Sequence, residues 1–139
     1  MRPFLLVLLA LAVALLAGCT QSSSSKDSSG KFRGQQRLVA NAIEDFQSAA
    51  SNGDQGKVCN DLLSRSLRAR LSRGAGGCLA TVDAALKDTD TFDLTVQAVR
   101  ITGGKATARV QEDTGQGTRT VTLGLVKKGP GWKLAQLGS

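Results

Sequence analysis

Between Gln35 and Ala50, apolar side chains recur at Leu38, Ala42, Ile43, Phe46, Ala49 and Ala50, while Asn41, Glu44, Asp45 and Ser48 fall on the other side. That spacing fits one face of an α-helix and predicts a first helix over this stretch. Asn52-Gly53-Asp54 then supplies a stop and a new start, Gly53 suiting a left-handed helix end and Asp54 the next N-cap. Val58, Cys59, Leu62 and Leu63 form the stripe of a short second helix. Ser64 caps a further turn or two, whose apolar face is Leu67 and Leu71. Gly74, Gly76 and Gly77 interrupt the pattern, which resumes through Cys78, Leu79, Val82, Ala85 and Leu86. After Asp88-Thr89-Asp90 the period changes to two. Phe92, Leu94, Val96 and Ala98 alternate with Asp93, Thr95 and Gln97, but Val99 and Ile101 lie on the opposite phase, which suggests a bulge or a two-sided strand end. Gly103-Gly104 is a two-residue hairpin signal, and Ala106, Ala108 and Val110 alternate beyond it. The loop Asp113 to Gly117 leads into Val121, Leu123 and Leu125. Lys128-Gly129-Pro130-Gly131 turns the chain again, and Trp132 to Leu137 closes it as a last strand. Helices first and four short-looped strands afterwards predict an α+β domain, with N-terminal helices packed on a curved four-stranded antiparallel sheet.

A different apolar pattern precedes this domain. Met1-Arg2 gives a positive start, and Phe4 to Leu16 is an almost unbroken Leu/Val/Ala run. The run is shorter than the ~20 residues that span a bilayer and has the layout of a secretory signal peptide. It ends in Leu16-Ala17-Gly18-Cys19, a cysteine directly after two small residues, which resembles the lipobox of bacterial lipoproteins. That resemblance implies removal of residues 1–18 and acylation of Cys19. Two or more acyl chains anchor stably where one does not, so the product would stay on the outer face of the bacterial cytoplasmic membrane. Thr20 to Lys31 reads TQSSSSKDSSGK, with no apolar residue. Residues 19–31 therefore read as the lipidated cysteine and a flexible linker with a reach of about 20 Å. Residues 32–139 remain as one domain.

Charge narrows the partners only slightly. The chain has 18 basic and 11 acidic residues and no histidine, a formal net charge of +7. This balance suits anionic lipid headgroups or acidic wall polymers, and equally suits plain solubility. Nucleic acid is not an expected partner, because the arginines are not interleaved with stacking aromatics. Arg65, Arg68, Arg70 and Arg73 spread over the arc opposite Leu67 and Leu71. They read either as a solvated helix face or as a docking patch for phosphate-bearing lipid or polymer.

With Cys19 acylated, Cys59 and Cys78 are the remaining cysteines, and an even pair in an exported compartment predicts a disulfide that clamps two helices. Closing a loop of about 20 residues constrains the unfolded chain by roughly 3 kcal/mol. Without histidine, two thiolates complete no usual zinc shell unless carboxylates are recruited, and no histidine-dependent triad is available, so neither metal nor cofactor is expected. The glycines from Gly74 to Gly77 lack the lysine and the preceding strand of a phosphate-cradling loop. Among the carboxylates, Asp54 reads as a cap, Asp88, Asp90 and Asp113 as loop residues, and Asp93 and Glu112 as strand residues. Acid/base catalysis would need two carboxylates brought together, Asp61 and Asp83 included.

One resemblance extends over about residues 35–137. The stretch Leu38 to Leu71 contains Ser51-Asn52-Gly53-Asp54, Val58-Cys59, Leu62-Leu63-Ser64 and Leu67-Arg68-Ala69-Arg70-Leu71. With Cys78, and with Lys127-Lys128-Gly129 to Trp132-Lys133-Leu134, it resembles small exported lipoproteins of actinobacterial type in the nuclear-transport-factor-two-like (cystatin-like cone) superfamily. The resemblance implies a sheet wrapped around the first helix, forming a cone whose mouth can hold a small apolar ligand. Ketosteroid isomerases and polyketide cyclases belong to the same superfamily, beside many binding and structural modules. The isomerase oxyanion site uses a tyrosine with a protonated aspartate, and this chain has no tyrosine, so no catalytic residue carries over.

Three functions follow from these readings. The first is a tethered, non-enzymatic domain binding a small apolar ligand or a partner protein at the cone mouth. The second is a module meeting anionic lipid or wall polymer through the arginine face. The third is a hydrolase or cyclase using a carboxylate in the cone. The first, in its small-ligand form, requires that Phe46, Phe92 and Trp132 do not fill the cone solid. The third requires an Asp or Glu in the pocket. The exposed sheet face, with Thr95, Thr107, Thr120 and Thr122, would serve a homodimer.

Overall fold

The computed structural model describes residues 28–87, 89 and 92–138; Cys19, its apolar leader, most of the Ser-rich stretch, Asp88 and Asp90 lie outside the described residues. The first helix, α1, spans Gly34–Ser51 and buries Val39, Ala40, Ile43, Phe46, Ala49 and Ala50. The buried stripe is displaced from the expected one. It centres on Val39, Ile43, Phe46 and Ala50, which puts Leu38 roughly 110° round the helix from its middle. Leu38 is accordingly 39% exposed.

Beyond α1 the helical stretch is less regular than the periodicity implies. Asp54 caps α2 (Gln55–Lys57) by accepting from the Lys57 backbone N–H at 2.9 Å. The chain then widens into a π turn, Val58–Leu62, in which the Leu63 N–H reaches back to the Val58 carbonyl at 3.1 Å. Leu63 therefore does not continue a helical stripe. It runs extended and forms a parallel bridge with Leu134, where the Ser64 N–H donates to the Leu134 carbonyl at 2.6 Å. The Ser64 hydroxyl accepts from the Leu67 N–H at 3.2 Å and so caps α3, Arg65–Leu71. The last helix, α4, spans Gly77–Lys87. The turn before it needs glycine for space: a Cβ on Gly74 would stand 2.7 Å from the Thr81 Oγ1, and one on Gly76, at φ +82°, 2.6 Å from the Ala80 Cβ. Cys59 and Cys78 are joined by a disulfide, which ties the π turn to the first turn of α4.

Strands β1 (Asp93–Thr102), β2 (Lys105–Asp113), β3 (Thr118–Lys128) and β4 (Gly131–Gln136) form an antiparallel meander in the order β1-β2-β3-β4. The register of β1 on β2 shifts between Val96 and Ala98. This bulge explains the change of phase in the sequence, because Leu94 and Val96 before it and Val99 after it are all buried. A second irregularity lies between Gly124 and Leu125 where β3 meets β4. Helix α1 packs on β1 and on β4, the two edges of the sheet. Those edges would lie about 14 Å apart in a flat four-stranded sheet, so contact with both means that the sheet curls round the helix. Ile43, Val39, Val58, Val96, Leu125 and Leu134 fill the space between them.

The folded unit also begins earlier than Phe32. Ser28 and Ser29 are buried, and Ser29–Lys31 form a 3-10 turn. The Glu44 Oε1 accepts from the Ser29 N–H at 2.7 Å and from the Ser28 hydroxyl at 3.3 Å, while the Ser28 Oγ accepts from the Val96 N–H at 3.0 Å. The last residues of the expected linker thus dock on α1 and β1 through polar contacts.

Candidate functional site

The curl of the sheet leaves part of its concave face uncovered by α1. A cavity of about 340 Å³ lies there, bounded by the end of α1, by α4 and by the β2–β3 end of the sheet. Its walls are mostly apolar, with Ala50 from α1, Val82 and Leu86 from α4, and Val121 and Leu123 from β3. Phe46 and Phe92 meet edge to face in the wall, their centroids 5.7 Å apart and their planes at 82°. Trp132 is buried outside the lining, and its indole N–H donates to the Gln35 Oε1 at 3.2 Å. The cone is therefore walled by two of the three aromatic residues expected to decide its filling, and the third packs elsewhere.

The polar groups of the cavity divide into used and usable ones. The Thr81 hydroxyl lies 3.0 Å from the Leu71 carbonyl and 2.9 Å from that of Gly77, and the Thr89 hydroxyl donates to the Leu86 carbonyl at 2.7 Å. Their donor capacity is spent on the backbone. What remains is Glu112, Thr114 and Arg119, all at the β2–β3 end. Glu112 and Arg119 stand directly opposite each other in the β2–β3 register, and the Arg119 Nε–H donates to the Glu112 Oε2 at 2.5 Å. The Glu112 side chain keeps only 12% of its accessible surface and that of Arg119 keeps 71%. Glu112, through this hydrogen bond first and its charge second, holds the Arg119 guanidinium above its ordinary range. Among the described residues the cavity is thus an apolar chamber with one polar corner, the Glu112–Arg119 pair.

Sequence reasoning placed Glu112 on a strand and did not single out Arg119. The signal was parity: Glu112 continues the inward set Ala106, Ala108, Val110, and Arg119 begins the set Val121, Leu123, Leu125. The other described carboxylates are occupied or remote from the cavity. Asp54 caps α2, Asp61 is exposed, and Asp83 accepts from Gln55 at 2.9 Å and pairs with Lys87 at 2.7 Å. Asp93 accepts from Gln47 at 2.7 Å, and Asp113 from the Gly115 N–H at 2.9 Å. Among the described residues no second carboxylate lines the cavity with Glu112.

The four arginines of the second reading are exposed and none lines the cavity. Arg70 is drawn onto the sheet, its Nη2 donating to the Ala135 carbonyl at 2.7 Å. Arg65, Arg68 and Arg73 point no hydrogen bond or ion pair at a described residue through their side chains. Among the described residues, no cluster of three His, Cys, Asp or Glu side chains is placed to hold a metal ion, and no helix is long and apolar enough to cross a membrane. The outer sheet face carries a shallow groove of about 400 Å³, lined by Ala98, Val99, Arg100, Thr107, Arg109 and Thr122.

No family model matches the chain, and no curated protein matches it in sequence. Solved structures do match its fold. An NTF2 design carrying five substitutions is 15% identical, with a TM-score of 0.53 over 73% of this chain and 95% of that one. A de novo designed NTF2-fold protein is 11% identical, with a TM-score of 0.52 over 76% of this chain and 87% of the other. An NTF2-like protein from Streptomyces avermitilis, described as a proposed dehydratase, is 18% identical, with a TM-score of 0.49 over 72% of this chain and 90% of that one. At these identities the likeness to the designs concerns fold alone, and it agrees with the helix-wrapping sheet: the chain has the NTF2-like α+β cone fold.

Proposed function

We propose that this chain is a non-enzymatic binding domain that holds a small apolar molecule in its cone cavity. The observation that carries this reading is the cavity itself, apolar on most sides, with the Phe46–Phe92 pair in its wall. Its volume of about 340 Å³ falls at the lower end of the ~300–1,000 Å³ usual for small-molecule sites. At the ~30 Å³ that a water molecule takes in the liquid, it accommodates about ten non-hydrogen atoms. Hydrolase or cyclase chemistry has less support, since Glu112 is already bonded to Arg119 and no second carboxylate lines the cavity among the described residues.

The domain works at the outer face of the bacterial cytoplasmic membrane, tethered through an acylated Cys19 and the Ser-rich residues that follow. This part rests on Leu16-Ala17-Gly18-Cys19, and the disulfide between Cys59 and Cys78 suits an oxidising compartment outside the cytoplasm.

Native mass spectrometry of residues 20–139 exported from a bacterial host tests the binding function. A small adduct lost on denaturation is expected. A protein that stays bare, and remains bare through a panel of small apolar compounds, overturns the reading. For the tether, full-length protein should fractionate with membranes and Cys19→Ala should release it; retention of that variant in the membrane fraction refutes lipid anchoring.

A further inference from the structure

We infer that the cavity takes a small apolar carboxylic acid, its hydrocarbon part against Phe46, Phe92 and Leu123 and its carboxylate on the guanidinium of Arg119. This rests on the ligand-binding reading above and adds the chemistry of the ligand's polar end.

The argument starts from the donors of Arg119. A guanidinium carries five N–H donors in a rigid fork. Nε serves Glu112, which leaves the four N–H groups of the terminal nitrogens without a partner among the described residues. Glu112 is nearly buried and fixed on β2 opposite Arg119, so its bond orients the guanidinium plane before any ligand arrives. An oriented edge with two parallel N–H groups matches a carboxylate in bidentate geometry, a match that a lysine ammonium or a hydroxyl does not reproduce. One guanidinium can serve two carboxylates on different edges, so the ligand need not displace Glu112.

The alternatives for the polar end fit less well. Among the described residues an ammonium would find only Glu112, already bonded and with little accessible surface, behind the more exposed cation of Arg119. The chain's net charge of +7 also draws anions and repels cations at long range. A neutral hydroxyl would leave most of the guanidinium donors to water. Size sets the rest: about ten non-hydrogen atoms correspond to a carboxylic acid of roughly eight carbons.

Titration of methyl-labelled protein, followed by NMR at pH 7 and constant ionic strength, tests this with octanoate, octanol and octylamine. The methyl signals of Val82, Val121 and Leu123 should move with octanoate and with octanol. Octanoate should bind about tenfold or more tightly than octanol, with octylamine weakest. Arg119→Gln should remove the advantage of octanoate and leave octanol unchanged, while Arg119→Lys should keep only part of it. Should the unpaired Glu112 destabilise the first variant, the double change Glu112→Gln with Arg119→Gln gives the same comparison without a buried lone charge. Equal affinity of the wild-type protein for octanoate and octanol overturns the assignment of Arg119 and leaves the cavity reading standing, as does undiminished octanoate binding by the variants. Unmoved cavity methyls with all three compounds overturn both.

Discussion

Replacing Cys59 and Cys78 together by alanine removes the covalent link between the π turn and α4, and its cost can be worked from the structure. The bridge spans a sequence separation of 19, and the loop-closure entropy of about 20 residues amounts to roughly 3 kcal/mol in the unfolded chain. Both cysteines are core residues, 2% and 7% exposed, so losing two sulfur atoms adds about 1 kcal/mol of lost packing. A total of about 4 kcal/mol should lower the thermal midpoint of a domain of this size by roughly 15 °C, at about 4 °C per kcal/mol. The loss should also be local. The main contacts of α4 are with α3, α2 and the π turn rather than with the sheet, and the Gln55–Asp83 hydrogen bond at 2.9 Å links it to α2. Hydrogen exchange should therefore accelerate first in α4, and the wall supplied by Val82 and Leu86 should loosen before β2 and β3 do. Urea unfolding followed by circular dichroism gives the stability, and exchange mass spectrometry gives the distribution. A loss below about 1 kcal/mol, or α4 amides as protected as before, would refute the view that the bridge holds this wall in place.

Gly76→Ala should cost about 2 kcal/mol in urea unfolding, because φ is +82° and the new Cβ would stand 2.6 Å from that of Ala80. Gly30→Ala, whose Cβ would meet nothing within 4 Å, should stay within about 0.5 kcal/mol of the parent and serves as the control. Glu44→Ala should cost about 1–2 kcal/mol and speed exchange at the Ser29 and Val96 amides; unchanged exchange there would mean that this carboxylate does not dock the N-terminal turn. Asp83, by hydrogen bond first and charge second, holds the exposed Lys87 ammonium above its ordinary value. A raised lysine contributes below its unfolded-state value, about 10.4, and the contribution fades as pH climbs through the folded-state value. Lys87→Met should thus leave the pH dependence of the urea midpoint unaltered between about pH 5 and 8, and a new slope there would contradict the assignment.

What could be read from the chain was what local chemistry dictates. Asp54 and Ser64 cap the helices that their positions announce, the change of phase at Val99 marks the bulge, and Gly103-Gly104 joins β1 to β2. The meander and the α+β class follow from those local signals. Failures came where tertiary contacts choose among residues of one kind. Leu38 and Leu79 look as apolar as Val39 and Val82, yet the sheet and the disulfide select the latter, and Leu79 stays 52% exposed. Leu63 leaves its helical stripe because Leu134, far along the chain, offers it a backbone partner. Ser28 and Ser29 look like linker because their burial goes with polar contacts to groups far along the chain, the Glu44 carboxylate and the Val96 N–H among them. Glu112 and Arg119 were hidden differently. A charged residue at the end of a strand ordinarily faces water, and only the register that sets these two opposite each other on the concave side turns them into the polar corner of a cavity.

The most direct test of the central claim is the affinity of octanol for the wild-type protein and for Ala50→Leu, measured by calorimetry. Octanol probes the apolar chamber without relying on Arg119, and a leucine at position 50 would extend from α1 into that chamber. The wild-type protein is expected to bind, and the folded variant to bind at least about tenfold more weakly, since the added carbons take up space in a cavity of about 340 Å³. Equal binding by both proteins would place the ligand elsewhere, and binding by neither would contradict a cone built to hold a small apolar molecule.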